Sequence, residues 1–239
     1  MKIALITGAN KGIGFETARQ LAQLDHYVYI GSRDKSRGLE AVKKLKAGGL
    51  THVNCLEIDV TDIVSIRSAR EELESKTQQL DVLINNAGIA GKQPQHISTG
   101  GMDNLREVFD TNFFGAVQTT QVFLDLLKKS SGPRIVNVSS QLGSLTFQRG
   151  TSNPHHRIYD AYSCSKTALN AFTVMLARAL EDTAFRINSV GPGYTATGLN
   201  QFKGIQTPAE AAEVVVKYAT IDPDGPTGKY FGKKGEIAW

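Results

Sequence analysis

Ile3-Ala4-Leu5-Ile6-Thr7-Gly8-Ala9-Asn10-Lys11-Gly12-Ile13-Gly14 is the stretch whose reading decides the fold. Four apolar residues form a run that stops at a glycine cluster. From residue 15 to 24 the apolar positions change to helical spacing, with Ala18, Leu21 and Ala22 on one face. A buried strand, a tight turn and a helix in that order open a parallel α/β unit. Gly8, Gly12 and Gly14 let the backbone turn sharply and leave the amino end of the helix open, where N–H groups and the helix dipole favour an anion. The spacing Gly-x-x-x-Gly-x-Gly is a variant of the more familiar Gly-x-Gly-x-x-Gly, so its place directly after the first strand carries the reading.

The alternation continues along the chain. Apolar, β-branched runs at 3–7, 28–30, 53–58, 82–85, 135–138, 186–190 and 229–231 are separated by helical patterns, which predicts strands buried on both faces. Seven strands imply an α/β fold: a doubly wound, Rossmann-like parallel sheet with helices on both faces, in a single domain over 1–239. Leu105, Val108, Phe109 and Asn112 share one helix face. After Tyr162 a stripe of Ser165, Ala168, Leu169, Phe172, Met175, Leu176 and Ala179 predicts core or a subunit interface. Segments 141–160 and 194–206 are the long loops.

Composition narrows the class. Apolar content of 41% and charged content of 21% are ordinary for a globular protein, with no run approaching the roughly 20 apolar residues of a membrane span. The opening run is too short for the core of a signal peptide. Cys55 and Cys164 lack metal-type spacing and fit a reducing, cytoplasmic compartment. The net charge of +4 is spread among acids rather than gathered in a block, which argues against nucleic acid. His155-His156 has no Cys or carboxylate at ligand spacing, so no metal is expected.

Open α/β sheets bind ligands at the carboxyl ends of their strands, and the chemistry-bearing residues gather at those ends. Asn10, Lys11 and Ile13 complete a glycine loop suited to a dinucleotide pyrophosphate. After the second strand comes Ser32-Arg33-Asp34. Arg33 suits the 2′-phosphate of NADP(H), with Lys11 adding charge, whereas Asp34 leaves NAD(H) open. Asp59-Val60 closes the third strand where an adenine would lie, or Asp59 serves the following helix locally. Asn86-Ala87-Gly88 ends the fourth strand with small residues against which a ribose fits.

Tyr162 and Lys166 are four apart on a helix, so their side chains share a face. An ammonium beside a phenol stabilises the phenolate, which predicts a lowered Tyr162 pKa. Ser139-Ser140 leaves the fifth strand, where a hydroxyl can donate to a carbonyl.

Together these fragments resemble the short-chain dehydrogenase/reductase family over essentially the whole chain. The resemblance implies Tyr162 as general acid, Lys166 as its tuner and ribose clamp, and Ser140, the second of its pair, as carbonyl orienter. It implies Asn112 as the residue holding a water in the proton relay, and Pro192-Gly193 with Thr197 as the segment under the nicotinamide. The activity implied is reduction of a small-molecule carbonyl by NADP(H), reversible to alcohol oxidation. A non-catalytic NADP-binding sensor is the alternative. An epimerase or dehydratase of the extended branch needs a longer substrate domain.

The chain departs from the family pattern in three places. About eight extra residues lie between Ser140 and Tyr162, and the frequent Asp-Gly-Gly near the C-terminus is missing; both point to the carbonyl-reductase-like branch. That insertion leaves monomer or homo-oligomer open. A brief segment from Thr197 to Thr207 predicts an open pocket for bulky or aromatic carbonyls, lined in part by Leu142, Phe147, Tyr159, Tyr194 and Phe202. Cys164, on the far side of the helix from Tyr162 and Lys166, is expected to be a packing residue.

Overall fold

The computed structural model describes residues 1–150 and 159–239. Its strands are β1 (Ile3–Ile6), β2 (Tyr27–Ser32), β3 (Val53–Glu57), β4 (Val82–Asn85), β5 (Arg134–Val138), β6 (Arg186–Gly191), β7 (Lys229–Gly232) and β8 (Gly235–Glu236). They form one sheet in the order β3-β2-β1-β4-β5-β6-β7-β8. Seven strands run parallel; β8 pairs antiparallel with β7 through Phe231–Glu236 and Gly232–Gly235. The seven expected strands are all present within one or two residues of their expected ends. The eighth is the addition: two residues returned by a tight turn carry no periodicity to read.

Among the described residues there are eight α-helices: α1 (Gly12–Gln23), α2 (Lys35–Ala47), α3 (Ile63–Glu74), α4 (Met102–Phe109), α5 (Gly115–Lys128), α6 (Leu145–Arg149), α7 (Asp160–Ala179) and α8 (Pro208–Ala219). Strand alternation sorts the core into two layers. Ala4, Ile6, Val28 and Ile84 pack with Leu21 of α1, Val42 of α2 and Val215 of α8. Leu5, Tyr29, Leu83 and Ile135 point the other way, onto Ile66 of α3 and Phe123 of α5. Because β1 lies between β2 and β4, the winding direction reverses there, and a crevice opens at the carboxyl ends of β1 and β4.

The stripe expected on α7 as core or subunit interface enters the core fully at Ser165 and Leu169. Met175 is 56% exposed, and the buried face consists of Ala161, Ser163, Ser165, Lys166, Leu169, Asn170, Thr173 and Ala177. Polar residues enter this core because the strand ends beneath them are polar too. Asn137 donates to Thr173 at 2.8 Å, Thr173 and Ser189 hydroxyls meet at 2.7 Å, and Asn85 donates to Asn137 at 2.8 Å and Thr120 at 2.9 Å. A satisfied polar group is tolerated in a core that would reject it unpaired.

Candidate active site

The glycine loop is locked to the end of β4. Gly8 has φ +63°, and a Cβ there would stand 2.9 Å from the Ala87 Cα. At Gly14 a Cβ would meet the Asn86 Nδ2 at 2.5 Å. Asn86 earns that proximity by donating to the carbonyls of Thr7 (2.8 Å) and Gly8 (3.1 Å), and the Thr7 hydroxyl accepts from the Asn86 and Ala87 amides at 3.0 Å each. Asn10 and Lys11 sit in the turn, and Ala9 donates to the Gly31 carbonyl at 2.9 Å, tying the loop to the end of β2. No side chain caps α1, whereas Asp34, Asp62 and Thr207 cap α2, α3 and α8. The amides of Ile13 and Gly14 are therefore placed to receive an anion.

Thr197 reaches the same loop from the far end of the chain, its Cγ2 standing 3.6 Å from where a Gly12 Cβ would be. Pro192 and Gly193, the latter at φ +92°, begin that segment. It is closed by Gln206, which donates to the Pro192 carbonyl and, at 3.1 Å, to the Thr195 hydroxyl.

Beyond β2, Asp34 accepts from the Arg37 amide (3.1 Å) and the Ser36 hydroxyl (2.8 Å), and pairs with the Arg37 guanidinium at 3.2 Å. The Arg37 amide is the chief reason its carboxyl is held below the usual range. Asp34 is thus occupied as a helix cap. Arg33 and Lys11 are exposed cations, and neither takes part in an ion pair among the described residues. Asp59 accepts from the Thr61 amide and hydroxyl at 2.9 and 2.7 Å, a local turn ahead of α3, while Val60 is buried against Gly115.

The second group of residues converges on Gly88. A Cβ there would lie 3.2 Å from the Asn112 Oδ1 and 3.5 Å from the Lys166 Nζ. Asn112 lies in a π-helical turn, Asp110–Phe114, between α4 and α5, a widening of the helix that recurs at functional sites. Its Oδ1 accepts from the Ile89 amide (2.8 Å), and its Nδ2 donates to the Ile89 carbonyl (2.9 Å) and Ser165 (3.0 Å). The Lys166 Nζ donates to the Val138 carbonyl at 2.8 Å and stands 5.7 Å from the Tyr162 ring centre.

Electrostatics here depart from the sequence expectation. Burial pushes the Tyr162 phenol up to about 12, and the Ser140 hydroxyl, hydrogen-bonding it, is the group that opposes the rise. Lys166 does not lower the pH at which the phenol titrates, because its own burial pushes the ammonium down to about 8, so that its charge is lost before the phenol ionises, and one of its N–H groups is directed at a backbone carbonyl. Ser140 also accepts from the Leu142 amide at 3.2 Å. Ser139 instead lies beneath the site, buried, with its hydroxyl 3.5 Å from the Lys166 carbonyl. Ser140 is therefore the member of the pair that meets Tyr162.

The matching family model is that of the short chain dehydrogenases, over residues 2–207. This chain belongs to the short-chain dehydrogenase/reductase family. It is 33% identical to a (+)-neomenthol dehydrogenase of Capsicum annuum, across 98% of this chain and 96% of that one. Among solved structures it is similar to salutaridine reductase from Papaver somniferum, with TM-score 0.85, 30% identity, and coverage of 98% of this chain and 100% of that one. It is similar also to an NADPH-bound carbonyl reductase from chicken fatty liver, with TM-score 0.86, 26% identity and full coverage of both chains.

In this short-chain dehydrogenase/reductase, Leu142, Phe147 and Tyr159 are half-buried beside the site, and Tyr159 meets the Tyr162 ring edge-on at 6.4 Å. Phe202 is corrected: at 73% exposure and φ +62° it projects into solvent rather than lining a pocket. Cys164 is likewise exposed, not packed, though it does face away from Tyr162 and Lys166; both cysteines are free thiols. His155 and His156 lie outside the described residues. Among those described, no Cys, His and carboxylate cluster could hold a metal, and no helix is long and apolar enough to cross a membrane. Sequence reading missed the clamps: Thr7, which reads only as the end of a strand, and Gln206, whose partners are eleven and fourteen residues away.

Proposed function

We propose that this chain reduces ketones and aldehydes to alcohols with NADPH, Tyr162 delivering the proton to the carbonyl oxygen. The observation that carries the reading is the meeting of Ser140 and Tyr162 at the carboxyl edge, next to the Lys166 ammonium. The resemblance to a carbonyl reductase, a salutaridine reductase and a neomenthol dehydrogenase supports the substrate class.

The residues fit a dinucleotide. Gly8, Gly12 and Gly14 form a cradle that a Cβ would disrupt, at the open end of an uncapped helix. Gly8, Asn10, Lys11, Gly12, Ile13 and Gly14 would hold the pyrophosphate, Arg33 and Lys11 a 2′-phosphate, and Asp59 and Val60 the adenine. Asn86, Ala87 and Gly88 would back the riboses, Tyr162 and Lys166 the nicotinamide ribose, and Pro192, Gly193 and Thr197 the nicotinamide. NADP(H) is favoured over NAD(H) because Asp34 is engaged as a cap while Arg33 is available. Bound there, the cofactor supplies a hydride for the carbonyl carbon.

The chain's own groups do the rest. Ser140 donates to the substrate oxygen and fixes its direction. Tyr162, kept protonated by its burial, gives its proton to that oxygen as negative charge develops. The Lys166 ammonium steadies the phenolate left behind, and Asn112 holds a water through which the proton is replaced. We place the protein in the cytoplasm, where the exposed Cys164 thiol stays reduced.

The test mixes purified protein with NADPH or NADH and a panel of aryl ketones, α-keto esters and cyclic diketones, following cofactor absorbance. NADPH loss that Tyr162→Phe abolishes supports the reading. Tight NADPH binding with no turnover of any carbonyl would favour the sensor.

A further inference from the structure

Helix α6 lies between Ser140 and Tyr162 in sequence, and none of its apolar side chains is fully buried among the described residues. It has five residues, none of them buried. A helix of that length has no stability of its own, so whatever fixes its position must come from elsewhere in the chain.

Residues 237–239 provide it. The Trp239 main-chain oxygen accepts from the Thr146 amide at 2.9 Å and the Thr146 hydroxyl at 2.7 Å. The Ala238 carbonyl accepts from the Ser144 hydroxyl at 2.7 Å, and the same Ser144 oxygen caps α6 at the Phe147 amide, 3.1 Å away. The strap is itself anchored. Ile237 donates to the Tyr230 carbonyl at 2.8 Å, and the Trp239 ring stacks on the wholly buried Tyr230 ring, centroids 5.6 Å apart. Tyr230 is in turn wedged beneath the site: a Cβ on Gly191 would lie 2.7 Å from its hydroxyl.

From α6 the hold passes to the reacting groups. Gln148 donates to the Leu142 carbonyl at 2.7 Å and to Ser163, beside Tyr162, at 3.1 Å. Leu142 donates to the Ser140 hydroxyl oxygen. Gly143 and Ser144 are packed on α7, whereas the 145–148 part of the wall, with no fully buried residue, is placed by hydrogen bonds from a distant stretch of chain.

We infer that Trp239 is a specificity-determining positioning residue: by its main-chain oxygen's hold on Thr146 and its stack on Tyr230 it sets the α6 wall, and so the room for ring-bearing ketones beside Ser140. This rests on the carbonyl-reductase reading above. A small aldehyde reaches only Ser140 and Tyr162 and does not touch the wall; a bicyclic ketone must fit against it.

The test compares 2-tetralone with propanal, using NADPH, in the full chain and in Trp239→Ala. For 2-tetralone KM rises about tenfold while kcat stays within about twofold; KM for propanal and Kd for NADPH stay within about twofold. An equal loss for both substrates, or no change for either, overturns the inference. If Trp239→Ala does not fold, Thr146→Val keeps the ring and the amide bond and shows about a threefold rise in the same direction, the loss of one hydrogen bond. Hydrogen exchange separates this inference from the reading beneath it. Peptides over 141–150 exchange about tenfold faster in the variant if the strap holds the wall, whether or not a carbonyl is turned over. Unchanged exchange there overturns the strap. Failure of the parent protein to reduce any carbonyl overturns the function and, with it, the specificity role.

Discussion

The Lys166 ammonium donates to the Val138 carbonyl at 2.8 Å rather than to the Tyr162 phenol, whose ring centre is 5.7 Å away. In the folded chain the two titratable groups are therefore governed by burial, one pushed up to about 12 and the other down to about 8. The acid stays loaded at neutral pH, and it is the lysine that titrates within working range.

Reduction should report that lysine. Protonated Tyr162 persists throughout, so kcat/KM for ketone reduction stays level up to near pH 8 and falls above it as Lys166 loses its charge. A pH profile taken with saturating NADPH checks this; a plateau extending to about pH 10 would count against it.

Stability should move the opposite way. Below about pH 8 folded and unfolded chains both hold the Lys166 proton, and the burial penalty is constant. Between there and its ordinary 10.5 only the unfolded chain holds it, so stability rises with pH, by on the order of 3 kcal/mol over that window. Lys166→Met removes this dependence. Urea titrations of both proteins at several pH values should show the parent gaining on the variant as pH rises, even though the variant is inactive.

Arg33→Ala should weaken NADPH and leave NADH alone. A guanidinium on a phosphate contributes roughly 1.5–3 kcal/mol, so Kd for NADPH rises between about tenfold and about a hundredfold. Titration by cofactor fluorescence distinguishes this from a general loss, which would raise both constants together.

Gly8→Ala tests the cradle. The left-handed backbone at φ +63° costs an L-residue roughly 1–2 kcal/mol, and the new Cβ meets the Ala87 Cα at 2.9 Å. The variant should melt several degrees lower and bind neither cofactor. Unchanged NADPH affinity would show that the loop does not form the site.

Much of this was legible in the chain. Ile3-Ala4-Leu5-Ile6 before the glycines, and similar runs after it, specify a parallel sheet because only strands buried on both faces dispense with alternation. The spacing of Tyr162 and Lys166 puts them on one helix face by geometry alone. Along α7, burial within the chain follows pairing as well as apolarity: Asn170 and Thr173 are buried and Met175 is not. The exposed position of Phe202 depends on a left-handed turn at Gln201 and Phe202 that no residue type announces.

The sequence by itself determined the parallel strands, the glycine loop and the shared helix face of Tyr162 and Lys166, since these depend on local periodicity and on chemistry carried by each side chain. The tertiary structure alone decided which of two serines faces the phenol and that Asp34 is committed to capping. It also decided that Lys166 is spent on Val138, and that Trp239 reaches back to Thr146. Those outcomes turn on burial and on contacts between residues far apart in the chain, and local pattern contains neither.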